Sequence, residues 1–292
     1  MTSDLSVLHY SAFTESPEGG NPAGIVLDAQ GLSDEEMLAI AAAVGYSETA
    51  FLVPRGAGRE YDVRYFSPQA EVPFCGHATV ASGVALAERE GAGELVFHTA
   101  AGTVHVRTAI GSDGAAVATL TSVPPRVVDI PAEDVRQALE LLRWSPGDLA
   151  ADLPPKIGYA GARHLILAAA TRERVAQLDY DFDGLRDFMF ERDLTTVALV
   201  WRRDALTFHG RNAFPVGGVV EDPATGAAAA AFGAYLREIG AVTPPARVTI
   251  LQGEDMGRPS ELFVDIDATR PEIQVTGRAV VIPGDRSTAR AS

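Results

Sequence analysis

Two stretches of this chain, 150 residues apart, carry the same pattern. Glu71, Pro73, Gly76, Ala78, Ala81, Gly83, Leu86 and Glu88 face Glu221, Pro223, Gly226, Ala228, Ala231, Gly233, Leu236 and Glu238. Alanine matches come easily between Ala-rich helices, so the weight rests on the Glu, Pro and Gly positions. A nearby shift of 147 pairs Thr49, Leu52 and Val53 with Thr196, Leu199 and Val200. A pattern used twice at this spacing points to a supersecondary unit that folds twice. The 292 residues are long enough for two domains. The expectation is a duplicated α+β chain, with domains over 1–123 and 124–283, a junction at Pro124-Pro125, and a flexible tail over 284–292.

Local patterns place the elements. Strands are expected at Leu5–Phe13, Gly24–Leu27, Thr49–Val53, Tyr61–Phe66, Glu94–His98, Thr103–Ala109 and Ala116–Leu120, with Gly-containing turns between the last three. Ser33 with Glu36 reads as a capping box opening a helix to Val44. A second helix should run from Gly76 to Glu90 and stop at Gly91. In the second half, helices are expected at Ala132–Leu142, Asp183–Glu191 and Gly226–Ile239. Strands are expected at His164–Ala169, Thr196–Trp201, Ala205–Gly210, Arg247–Gln252, Leu262–Ile266 and Ile273–Val280, with a Gly/Pro loop before Gly226.

Composition removes several function classes. The net charge of -15 repels phosphate backbones and acidic membrane surfaces, so neither nucleic acid nor membrane is an expected partner. Apolar runs stay too short for a membrane-spanning helix, the Ala-rich stretch after Thr225 being broken by Arg237 and Glu238. The first ten residues lack a basic start followed by a long apolar run, so no signal peptide is expected. With a single cysteine, Cys75, no intrachain disulfide can form and no Cys-rich metal motif exists. A cytoplasmic setting is the expectation. His9, His98, His105, His164 and His209 show no ligand spacing, and no metal is expected.

Each copy of the repeat sets a Pro- and Gly-containing turn just before a helix. A helix start offers unpaired N–H groups and partial positive charge, which together bind carboxylate without a cationic side chain. Two copies related by a pseudo-two-fold axis are expected to aim both helix starts into one cleft. There they would hold a substrate carboxylate and acidify the neighbouring carbon. Proton transfer at carbon also needs a base. Glu48 leads the candidates, since it enters an apolar strand whose walls would raise its pKa towards a proton shuttle's range. The 147 shift gives it Thr195 as counterpart. His77, one residue into its helix, can exchange a proton as neutral imidazole. Asp222, before Pro223, could orient the substrate or hold a second proton. Cys75 is a further acid/base candidate at a helix start.

Four segments resemble the phenazine biosynthesis PhzF-like proteins of the diaminopimelate epimerase fold. They are Gly20-Asn21-Pro22-Ala23-Gly24, Tyr46-Ser47-Glu48-Thr49-Ala50-Phe51, Glu71-Val72-Pro73-Phe74-Cys75-Gly76-His77-Ala78-Thr79 and Glu221-Asp222-Pro223-Ala224-Thr225-Gly226. The resemblance covers nearly the whole chain, in the family's order and spacing. It implies two domains, each a mixed sheet curled around a central helix, with the site between them, no cofactor, and a homodimer. The family's phenazine enzyme isomerises a dihydro-hydroxyanthranilate by moving a proton between ring carbons. Its catalytic Glu, His and Asp match Glu48, His77 and Asp222. Substrate binding falls to Cys75 and Gly76 in one half and Thr225, Gly226 and Ala227 in the other. The family usually carries Ser at the place of Ala227, so a hydroxyl donor is missing here, which bears on the substrate rather than the fold. The epimerase branch uses two cysteines, one per domain; the second half has none, which excludes two-thiol chemistry.

The leading expectation is therefore a cofactor-independent isomerase of a small carboxylate-bearing metabolite, with Glu48 as general acid/base. A one-base epimerase of an amino or hydroxy acid would differ in its product, an inverted centre instead of a moved double bond. A non-catalytic binding protein that keeps the fold would bind small carboxylates without turnover.

Overall fold

A computed structural model of the chain describes residues 5–283 and 288–289. It divides into two compact units, Met1–Thr121 with Thr276–Ser292, and Ser122–Val275. The expected tail over 284–292 lies outside the described residues except for 288 and 289, which pair with Leu5 and Ser6.

In the first unit, strand Leu8–Ala12 lies antiparallel to Asn21–Val26. Helix Asp34–Val44 then carries the chain over to Glu48–Pro54, parallel to Asn21–Val26. Ser33 and Glu36 form the expected capping box, and Gly45 ends the helix in the left-handed region at φ 73°. Glu60–Phe66 returns antiparallel, and helix Gly76–Glu90 makes a second crossover to Glu94–Thr99, parallel to Glu60–Phe66. The meander Gly102–Ile110, Ala116–Thr121 completes the run. The last strand of the sheet, Ile273–Val281, pairs with Ala116–Thr121 on one side and Leu8–Ala12 on the other, so the sheet closes. The helix Gly76–Glu90 sits inside it, with every residue from His77 to Ala87 buried. Its small side chains make this possible: a Cβ on Gly83 would meet Val106 and Ala118 at 3.0 Å.

The second unit repeats the plan. Lys156–Tyr159 is antiparallel to Arg163–Ala168, and a crossover through helix Phe182–Glu191 leads to Thr196–Arg202 in parallel. Thr207–Ala213 follows antiparallel, and helix Gly226–Glu238 crosses to Ala246–Gln252, again in parallel. Ser260–Ile266 lies antiparallel to that strand. The helix Gly226–Glu238 packs against the strands around it and is buried from Ala228 to Leu236. Each unit has a second apolar layer beneath its crossover helices. In the first it is Met37, Ile40, Ala41, Phe51 and Phe66. In the second it is larger, built on Leu139, Leu165, Leu185, Phe188, Met189 and Leu199. The architecture is the expected α+β pair of mixed sheets, each curled about one helix.

The differences from the expected elements are local. Strand Thr207–Ala213 starts two residues late because the Asp204 side chain accepts from the Leu206 and Thr207 amides, holding a turn. It then runs three residues into the expected Gly/Pro loop. Strands Arg126–Asp129 and Lys156–Tyr159 are additions to the expected set. The first is mostly exposed and shows no apolar alternation.

Candidate active site

The first unit brings a carboxyl, a thiol and an imidazole together in one compact cluster. Glu48 opens its strand, and register places it beside Ala23, with Ala50, Phe51 and Leu52 buried behind it. Burial raises the Glu48 carboxyl above its ordinary value, with hydrogen bonds from Ser47 and Cys75 opposing the shift. Cys75 is the N-cap of the central helix, and its Sγ lies 3.5 Å from Glu48 Oε2. His77 is buried, with Nε2 3.4 Å from Glu48 Oε2 and 3.4 Å from Ser47 Oγ. Its Nδ1 faces the Asn21 side-chain amide nitrogen at 3.0 Å. That nitrogen can only donate, so Nδ1 accepts, and the ring hydrogen sits on Nε2, facing the carboxylate. Glu48 and His77 thus stand in close contact, 3.4 Å apart.

Asn21 reaches this place because of the turn before it. Gly20 has φ 67°, and a Cβ there would come within 2.3 Å of the Ala12 carbonyl oxygen. Glycine is the residue that fits.

The second unit builds a different cluster on the same loop. Thr225 Oγ1 donates to Asp222 Oδ2 at 2.5 Å. Gln252, buried at the end of its strand, donates from Nε2 to the Asp222 carbonyl at 2.7 Å. Its Oε1 accepts from the Thr225 amide at 3.3 Å. Asp222 is therefore held from its backbone and its side chain at once. Gly226 starts the central helix, and Ala227 is half-buried in its first turn.

Strand pairing aligns the two units residue by residue. Phe66 lies opposite Glu71 and Ala213 opposite Glu221, which equates Arg64 with Arg211. Each arginine forms a two-pronged ion pair with its glutamate: Arg64 Nε and Nη2 reach Glu71 at 2.7 and 2.6 Å, and Arg211 uses the same two nitrogens on Glu221. The next pairing outwards sets Thr49 opposite Phe66 and Val197 opposite Ala213, so Glu48 corresponds to Thr196. The uniform 147 shift points instead to Thr195, one residue off. Thr196 is buried, with its Oγ1 2.8 Å from His164 Nδ1 and 3.0 Å from Asn212 Oδ1.

The structure thus joins Glu48, Cys75, Gly76 and His77 in one unit, and Asp222, Thr225, Gly226 and Ala227 in the other. Nothing in the sequence singles out Gln252, which lies 27 residues from Thr225. Asn21 carries a signal, a polar residue in a Gly-Asn-Pro turn among apolar strands, but no role follows from it.

The family model for phenazine biosynthesis-like protein matches residues 10–284. The trans-2,3-dihydro-3-hydroxyanthranilate isomerase of Pseudomonas chlororaphis is 30% identical over 279 residues, covering 93% of this chain and 96% of its own. The crystal structure of a Bacillus anthracis phenazine biosynthesis protein of the PhzF family superposes with a TM-score of 0.84 at 28% identity, covering 95% of this chain and 97% of that one. The fold extends further: a hydroxyproline epimerase of Agrobacterium vitis has a TM-score of 0.64 at 14% identity, covering 95% of this chain and 90% of its own.

Proposed function

The chain belongs to the phenazine biosynthesis-like protein family, and on that premise we propose that it is an isomerase that moves a proton between carbons of a small carboxylate-bearing metabolite. Glu48 is the general acid/base. The observation that carries this reading is the largely buried Glu48 carboxyl, raised above its ordinary value and 3.4 Å from His77 Nε2. Desolvation brings its proton affinity closer to that of a carbon acid's partner at neutral pH. His77 can return the proton or hold the carboxylate during transfer. The relative from Pseudomonas chlororaphis is named for an isomerisation of this kind.

The helix start at Cys75 and Gly76 offers N–H groups to a substrate carboxylate, and Gly226 and Ala227 offer the same in the second unit, where the Thr225 amide is held by Gln252 and Thr225 shapes the loop. Asp222, fixed by Thr225 and Gln252, is proposed to orient the substrate or hold the second proton. The proposed chemistry uses the chain's own side chains and backbone N–H groups and calls for no cofactor. A homodimer in the cytoplasm completes the proposal; among the described residues no helix is long and apolar enough to cross a membrane.

The test is deuterium incorporation from D₂O over a panel of carboxylate metabolites, including dihydro-hydroxyanthranilate. Incorporation in the wild type that vanishes in Glu48→Gln supports the reading, and the labelled atom separates isomerisation from epimerisation. Absence of both label and product across the panel would remove it.

A further inference from the structure

The three groups of the first unit's cluster have another property, independent of catalysis. Glu48, Cys75 and His77 place one donor atom each within 4.8 Å of one another. The individual separations are 3.5 Å for Sγ to Oε2, 3.7 Å for Sγ to Nε2 and 3.4 Å for Nε2 to Oε2. A tetrahedral zinc ion, with bonds of about 2.3 Å to sulfur and about 2.0 Å to nitrogen or oxygen, requires edges of roughly 3.5 Å to sulfur and roughly 3.3 Å between the other two donors. The three edges have the lengths of one face of that tetrahedron; Sγ also lies 3.4 Å from His77 Nδ1, beside the ring and off the Nε2 lone-pair axis, so binding turns the short Cys75 side chain towards Nε2. The donor set also has the right character: a thiol, an imidazole and a carboxylate suit a thiophilic divalent cation and not magnesium.

We propose that Glu48, Cys75 and His77 form a binding site for a single thiophilic divalent cation such as zinc, and that occupancy silences the proton shuttle. Cys75 releases its thiol proton to water and binds as thiolate, Glu48 binds through Oε2, and His77 binds through Nε2 with its hydrogen moved to Nδ1. Asn21 can serve both states. Its amide nitrogen donates to Nδ1 in the metal-free ring, and a half-turn of the amide presents its oxygen to Nδ1–H, the outer hydrogen bond that metal-bound histidines usually make. The fourth position opens on the side of Glu48, whose side chain is 16% exposed against 6% for His77. No linear ligand spacing reveals the site, because Cys75 and His77 are two residues apart and Glu48 comes from another strand. Binding itself does not depend on the proposed isomerisation; the silencing does.

Cobalt(II) is the probe, because its bond to a thiolate gives a near-ultraviolet charge-transfer band that needs no turnover. Cys75 is the one cysteine of the chain, so any such band belongs to it. The expected result is a band saturating at one equivalent, displaced by zinc, lost in Cys75→Ser, and weakened at least tenfold in affinity in both Glu48→Gln and His77→Gln. Asn21→Ala should weaken it about 10–100-fold. In the unsubstituted protein, zinc but not magnesium should raise the Tm, which serves if a variant does not fold. Absence of the band at saturating cobalt, equal affinity in the Glu48 and His77 variants and the wild type, or a Tm that ignores zinc, would overturn the site. If cobalt binds as expected yet zinc leaves deuterium exchange untouched, the silencing falls and the metal site stands.

Discussion

The position beside Ala23 in the first unit carries Glu48; the same position in the second, beside His164, carries Thr196. Around the first, a carboxyl is kept where burial penalises its charge, next to His77 and Cys75. Around the second, a hydroxyl links a wholly buried His164, through Nδ1, to the Asn212 side-chain oxygen. The scaffold is the same in both: a strand pair, an Arg–Glu brace, a Pro/Gly turn and a buried helix. One copy has been left with a group held out of its preferred state, and the other has been made cohesive. Proton chemistry should then depend on one residue of this pair and stability on the other.

Substituting the pair tests that division directly. Glu48→Gln should lower deuterium transfer by about 10²–10⁴-fold. Thr196→Val should leave turnover within a few-fold while lowering unfolding free energy by about 1–3 kcal/mol, because His164 and Asn212 lose their buried partner. Urea unfolding alongside the exchange assay reads both. A Thr196→Val protein that loses turnover at unchanged stability would break the comparison. The pH dependence sharpens it. With the folded Glu48 value raised above 4.5, the folded state keeps a proton that the unfolded chain has already lost, so stability falls as pH rises through that window. Glu48→Gln should therefore gain Tm relative to wild type above the window and show no gain below 4.5.

The braces differ in their surroundings. Arg211 and Glu221 have side chains 9% and 7% exposed, and Arg211 also donates to the Ala176 carbonyl at 2.5 Å. Arg211→Met strands a buried carboxylate and should cost about 3–5 kcal/mol in a urea titration. A loss below about 1 kcal/mol, on the scale of an exposed pair, would mean that Glu221 finds water or another donor.

His164 gives a pH-dependent effect, absent near neutral pH, with no counterpart at Ala23. Burial pushes its value down from 6.5 to about 3, so it stays neutral when folded, while the unfolded chain takes up a proton below 6.5. Stability from this residue is intact above 6.5 and declines as pH falls towards about 3, with a slope of at most about 1.4 kcal/mol per pH unit. His164→Leu, which also removes an Nε2 that has no hydrogen-bond partner among the described residues, should flatten the curve over that range. An acid limb that is the same in wild type and variant, followed by circular dichroism, would show that other groups set it.

Much of this comparison was legible in the sequence. The repeat at Glu71 and Glu221, the helix starts at Gly76 and Gly226, and Glu48 before an apolar strand all stand in the linear pattern. The correspondence of Glu48 with Thr196 does not. Sixteen residues separate Glu48 from Arg64 and fifteen separate Thr196 from Arg211, while seven lie from Arg64 to Glu71 and ten from Arg211 to Glu221. A shorter hairpin and a longer loop, the latter holding the turn Pro215–Gly217, shift the alignment twice. No single offset can follow that; hydrogen-bonded register can. The contacts of Asn21 and Gln252 were hidden for a related reason, since each meets its partner through a crossover and not along a helix or strand.

The smallest effect expected is at Arg64, and it is the control for Arg211. Arg64 holds Glu71 at 2.6 Å and Asp34 at 2.6 Å with its side chain 34% exposed. Water can replace it at both carboxylates, and salt screens what remains. Arg64→Met should cost no more than about 1 kcal/mol, less at high ionic strength. It should not disturb the Glu48 cluster, because the loop from Glu71 to Gly76 is also held by the Tyr65–Val72 and Phe66–Glu71 strand pairing and by the Ala101 amide on the Pro73 carbonyl at 3.2 Å. A loss of several kcal/mol at Arg64, insensitive to salt, would mean that the exposed brace matters as much as the buried one, and burial would no longer explain how the two units differ.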